Sequence, residues 1–199
     1  MTKTIHAWHF MADHDDKPVL RDGRPCPAKG VTLRHYGALG MCSAGYHASR
    51  RAIDALGYAP GPWVARVRLG GKTIEDANKV CAETRTVIAG PIDATAILRE
   101  FAAACAYRAL ERHGGGLTED QRDACLWACD LAAAMAAGAN IPDEERAAAG
   151  EAAWAARAAG EARAAAWEAA WAAAGAAAGE AAREGQNAEL ERMLAEAGL

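Results

Sequence analysis

The sequence predicts an α+β fold, and three observations carry that reading. Five of the six histidines and six of the seven prolines fall at or before residue 91, among many glycines. Short runs of alternating apolar and polar residues occupy the same stretch. From residue 147 to 182, by contrast, almost two residues in three are Ala, the strongest helix former. The expected organisation is a small α/β sheet domain over residues 1–90, followed by an Ala/Trp-rich helical bundle of four or five helices over residues 93–199.

Thr4 to Phe10 alternates, placing Ile5, Ala7 and His9 on one face and Thr4, His6, Trp8 and Phe10 on the other. Lys17 to Gly23 carries turn residues, and Val31-Thr32-Leu33 is a short strand candidate. Ala52, Ile53, Ala55 and Leu56 recur at helical spacing, with Ser49 placed to cap them and Pro60-Gly61-Pro62 to end them. Trp63 to Leu69 alternates with Arg66 and Arg68 outward, and Gly70-Gly71 closes that strand. Residues 80–82 and 84–88 read as two further strands before a stop at Gly90-Pro91.

Beyond that point the signals are helical. Asp93 caps a helix to about residue 112, with Ile97, Phe101, Cys105 and Ala109 four apart, and Gly114-Gly115-Gly116 ends it. Thr118 with Gln121 forms a capping box for a second helix to about residue 137. Pro142 opens a third. One straight helix through the Ala-rich segment would be roughly 60 Å long, so a break near Gly160 is expected. Trp167 and Trp171 then pack against the two preceding helices, where Phe101 and Trp127 can meet them, and Gly175 and Gly179 allow close approach. Asn187 caps a last short helix with Leu190, Met193 and Leu194 as its apolar edge.

Charge and composition exclude several functions. With 22 basic and 26 acidic side chains the net charge is −4, which gives no support to direct nucleic-acid binding. No apolar run approaches a membrane span, and Met1 to His6 lacks the apolar core of a signal peptide. The expected location is the host cytoplasm. There the six cysteines are thiols acting as small hydrophobes, because none of their spacings is that of a zinc site or a disulfide framework. No metal site is expected at His6, His9, Asp13, His14, Asp15 and Asp16 either, since a strand turns the first two rings to opposite faces. Phosphate-loop, nucleophile-elbow and zinc-protease motifs are missing.

The best site candidate is Cys42 to Ser49. His47 and Ser49 sit two apart where the chain enters a helix, so an extended backbone points both the same way. Such a place suits a phosphate or carboxylate, with Lys79 and Arg85 adding positive charge from nearby strands. The bland alternative is Ser49 as a cap and His47 as a locally bonded ring.

Several motifs carry a resemblance as a set: Trp8-His9-Phe10, Leu20-Arg21-Asp22-Gly23, Cys42-x-x-Gly45-Tyr46-His47-Ala48-Ser49, Asp54-Ala55-Leu56-x-Tyr58-Ala59-Pro60-Gly61 and Arg85-Thr86-Val87-Ile88. In this order over residues 1–90 they resemble a domain family of bacteriophage and prophage proteins without an assigned activity. Its commoner central string is Gly-Leu-His-Ala-Ser, from which Tyr46 departs. The remainder is similar to Ala-rich helical tails that follow this domain, and to helical proteins described as immunity proteins.

A weaker resemblance is to ADP-ribosyltransferases. It implies that His9 holds the nicotinamide ribose and that Tyr46 or Tyr58 stacks on the nicotinamide. The catalytic Glu that this family places on a late strand has only Glu75 and Glu83 as counterparts.

Two functions are therefore expected. The first is a phage or mobile-element accessory protein that binds an unidentified protein partner without a cofactor, inhibition of a host defence system being one such role. The alternative is a small NAD-dependent ADP-ribosyltransferase-like enzyme. Under either reading the candidate pocket is His9, Tyr46, His47, Ser49, Tyr58, Lys79 and Arg85.

Overall fold

A computed structural model of the protein describes residues 4–113, 115, 117–148, 151 and 168–199. The chain is α+β. Its strands are β1 (Ile5–Asp13), β2 (Pro18–Val19), β3 (Thr32–Arg34), β4 (Tyr46–Ala48), β5 (Trp63–Glu75) and β6 (Val80–Asp93). Its helices are α1 (Ala52–Leu56), α2 (Thr95–His113), α3 (Glu119–Ala136) and α4 (Glu168–Glu196).

The strands form one antiparallel sheet in the order β2-β1-β5-β6-β3, with β4 also paired to β6. The residue after β4 then returns to β1. Trp8 and Ser49 exchange both backbone hydrogen bonds, at 2.7 and 3.1 Å. The sheet thus closes on itself through β1, β5, β6 and β4. Its inner face carries Ile5, Ala7, Met11, Ala65, Val67, Leu69, Ala82 and Val87, all buried. Packing them away from water is the main favourable term.

Two stops expected in the sequence prove to be bulges. The strand that Gly70-Gly71 was expected to close continues to Glu75, because the register slips between Gly70 and Thr73. Gly71 supplies the positive φ of 77° there, and the Lys72 N–H bonds the Glu83 carboxylate at 3.0 Å instead of a ladder carbonyl. Likewise, residues 80–82 and 84–88 belong to one strand that runs through Gly90-Pro91. Pro91 falls where the pairing jumps from Ala89 to Ile92, so its missing N–H costs the ladder nothing.

Contacts divide the chain into two units, Met1–Thr95 with Asn187–Leu199, and Ala96–Gln186. The end of the chain therefore belongs with the sheet. Leu190 and Leu194 are completely buried there, and Met193 nearly so. Asn187 does not begin a helix. It lies inside α4, and its side chain serves α1 instead: Oδ1 accepts the Ile53 N–H at 3.1 Å.

In the second unit, α3 opens with the expected capping box between Thr118 and Gln121. Residues 143–148 are helical, directly after Pro142. Phe101 is buried and Trp127 partly exposed. The expected break at Gly160 and the Trp167 contacts lie outside the described residues, as does the packing around Trp171, Gly175 and Gly179.

Candidate functional site

The sheet unit holds a cavity of about 520 Å³, open on one side. All seven candidate residues line it: His9 from β1, Tyr46 and His47 from β4, Ser49 just after, Tyr58 beyond α1, Lys79 just before β6 and Arg85 within it. Sequence reasoning missed Arg21, Asp22 and Arg24 as parts of the wall, although Leu20 to Gly23 stood out as a motif. Cys42, the first residue of the candidate string, lies on the wall as well. Those residues sit on irregular loops, where no periodicity says which way a side chain points.

His9 is the polar member of an otherwise apolar row, sharing the inner face of β1 with Ile5, Ala7 and Met11. Arg85 is 6% exposed. Its Nη1 donates to His9 Nε2 at 2.9 Å and to the His47 carbonyl at 3.2 Å. The guanidinium also lies 5.2 Å from the centre of the Tyr46 ring. Burial pulls its pKa from 12.5 down to about 10, so it remains a cation at neutral pH. Among the described residues, no carboxylate lies within ion-pair distance of it.

The imidazole of His9 is held well below its usual value, chiefly by burial and then by Arg85, His47 and Arg21. His47 is lowered as well, by burial and then by Lys79. Its Nε2 accepts the Cys42 N–H at 2.9 Å, a local bond that fixes the ring on the wall. Gly45 makes this arrangement possible. Its φ is 105°, and a Cβ there would stand 2.6 Å from the Cys81 sulfur.

Near the mouth, Lys79 Nζ lies 3.4 Å from the centre of the Tyr58 ring and 3.5 Å from the Cys42 sulfur. The Tyr58 hydroxyl donates to Asn78 at 2.8 Å. Arg24 is bound to Asp22 through Nε and Nη2, at 2.9 and 2.6 Å. Four cationic side chains (Arg21, Arg24, Lys79, Arg85) thus face the cavity with a single carboxylate, in a chain whose net charge is negative.

Ser49 corrects an expectation. It caps no helix: its backbone is engaged with Trp8, and α1 begins after Arg51, which makes no side-chain cap. The carboxylates anticipated for transferase chemistry are elsewhere. Glu75 is paired with Arg50 at 2.9 Å and Glu83 accepts the Lys72 N–H, and neither lines the cavity.

Among the described residues, no group of three His, Cys, Asp or Glu side chains could hold a metal ion, and no helix is long and apolar enough to cross a membrane. None of the six cysteines is in a disulfide. No family model matches the chain, and no curated protein or solved structure is significantly similar to it.

Proposed function

We propose that the sheet unit is a ligand-binding domain whose cavity takes an anionic small molecule. The observation that supports this reading is Arg85, a buried guanidinium without a carboxylate beside it. Asp22 acts on it only from a distance; buried charge without a direct partner is costly, and an anion entering the cavity relieves that cost. The aromatic rings of Tyr46 and Tyr58 add flat surface for an organic part of the ligand. In the mobile-element setting suggested by the sequence resemblance, this domain belongs to an accessory protein. Its helical segment forms a bundle that meets a protein partner, with the partly exposed Trp127 of α3 as the supporting feature.

The experiment is calorimetry with sulfate and inorganic phosphate on the parent and on Arg85→Met. Saturable binding that weakens at least tenfold in the variant is expected, since charged hydrogen bonds are worth about 1.5–3 kcal/mol. Equal binding by the two chains would remove Arg85 from the site.

A second reading is favoured by one coincidence. His9, Tyr46 and Tyr58, the residues matched to an ADP-ribosyltransferase, line the same cavity. NAD is then the ligand to try, with binding expected and nicotinamide release not, because neither Glu75 nor Glu83 reaches the cavity.

A further inference from the structure

The hydrogen bond between Arg85 and His9 can run in one direction only. A guanidinium has no acceptor, so His9 Nε2 accepts the Nη1 proton and the imidazole carries its own proton on Nδ1. Protonating His9 in the empty cavity would destroy that bond and set a second cation against the first. The surroundings offer little relief: a hydrogen bond with the His47 backbone favours the charged ring, but burial and the neighbouring cations outweigh it. β6 contributes Arg85, β4 contributes His47, and the turn after β2 contributes Arg21. Opposite His9, β5 places Ala65. The acids nearby are engaged elsewhere: Asp22 on the cavity wall is held by Arg24, Asp54 of α1 pairs with Arg51, Glu191 of α4 bonds Trp8, and Asp13 at the end of β1 bonds Trp63. None of them is among the charges acting on the ring.

We propose that the ligand of this cavity is an organic phosphate monoester that binds as a dianion together with one proton, which His9 takes up from solvent as the ligand arrives. This rests on the anionic reading of the site. A carboxylate would neutralise Arg85 and leave His9 as it is. A dianion carries a second charge, which makes the protonated imidazole the favoured partner beside Arg85. The cavity is far larger than a bare oxyanion requires, and Tyr46, Tyr58 and Phe10 on its wall suit the ester's organic part. Binding and protonation are then linked, and each strengthens the other.

Sulfate tests the linkage cleanly, because it stays a dianion across the whole range. For the full chain, sulfate affinity should rise as pH falls from about 8 to about 5.5, approaching tenfold per pH unit where the slope is steepest. Calorimetry in two buffers of different ionisation enthalpy should register proton uptake by the parent, which keeps the test independent of any variant. His9→Gln retains an oxygen to accept from Arg85 and should bind sulfate without the slope, while His47→Gln should keep it. Sulfate affinity independent of pH, or a slope that vanishes in His47→Gln instead, would overturn the proposal and leave the anion pocket standing. No sulfate binding at any pH would overturn both. At about pH 8, phenyl phosphate should bind at least tenfold more tightly than inorganic phosphate. Equal affinities would overturn the organic monoester.

Discussion

The indole N–H of Trp8 donates to the carboxylate of Glu191, 183 residues further along the chain, at 3.0 Å. The same carboxylate oxygen accepts the Ala52 N–H at 3.1 Å, and Asn187 accepts that of Ile53. The orphan N–H groups at the start of α1 are thus capped by side chains from the last helix rather than by a neighbour in sequence. Arg66 completes the arrangement, 4.2 Å from the centre of the Trp8 ring. This cap holds α1 against β1, beside the cavity.

Glu191→Ala is therefore expected to destabilise the protein by about 2–4 kcal/mol. Two N–H groups lose their acceptor in a part-buried setting, at about 1–3 kcal/mol for each group left unsatisfied. Glu191→Gln, which keeps an oxygen, should lose less. Urea midpoints for the two variants and the parent decide it. A shift no larger for Ala than for Gln would show that the acceptor is not what matters.

Leu194→Ala should cost about 2–5 kcal/mol, the range for emptying a fully buried leucine site. The reason is that residues 187–199 complete the core of the sheet unit. A chain ending at residue 186 should accordingly lose the cooperative unfolding of the sheet, followed by near-ultraviolet dichroism. Retention of the full transition would mean that residues 1–95 stand alone.

Acid should weaken the fold in a defined window. The folded pKa values of His9 and His47 are both lowered from 6.5. Above about pH 6.5 each ring is neutral whether the chain is folded or not, and their contribution to stability is complete. Below it the unfolded chain takes up protons that the folded rings refuse, so stability falls as pH falls. His9→Gln should show a smaller drop between about pH 7.5 and about 5 than the parent, with His47 supplying the remainder. An unchanged drop would contradict the burial of His9.

Much of this could be read from the residues, and the exceptions have physical causes. The alternation of Thr4 to Phe10 put His9 on one face with Ile5 and Ala7, as found, and the Thr118–Gln121 box marked the start of α3, because both signals are local. Ser49 looked like a cap for the same local reason, but its backbone was already committed to closing the sheet. Glu191 and Asn187 are too distant for any spacing rule to link them to α1. Gly70-Gly71 and Gly90-Pro91 read as stops because bulges and turns use the same residues. Within the site, strand residues His9, Tyr46, His47 and Arg85 were identifiable, whereas the loop residues Arg21, Asp22 and Arg24 were not.

Gly45→Ala should damage the site more than a surface glycine would. The φ of 105° and the nearby Cys81 sulfur both oppose a side chain. About 1–3 kcal/mol of stability should be lost, and the Cys42-to-His47 bond with it. A near-neutral effect on the urea midpoint would indicate that the loop leading into β4 can relax.

The central claim is that an anion sits against Arg85 between β1, β4 and β6. Its most direct test is a titration of the labelled full-length protein with inorganic phosphate, followed by backbone and imidazole chemical shifts. Saturable shifts should concentrate at His9, Tyr46, His47 and Arg85 and fade in the strands remote from the cavity. Shifts spread over surface lysines and arginines, or none that saturate, would contradict the account.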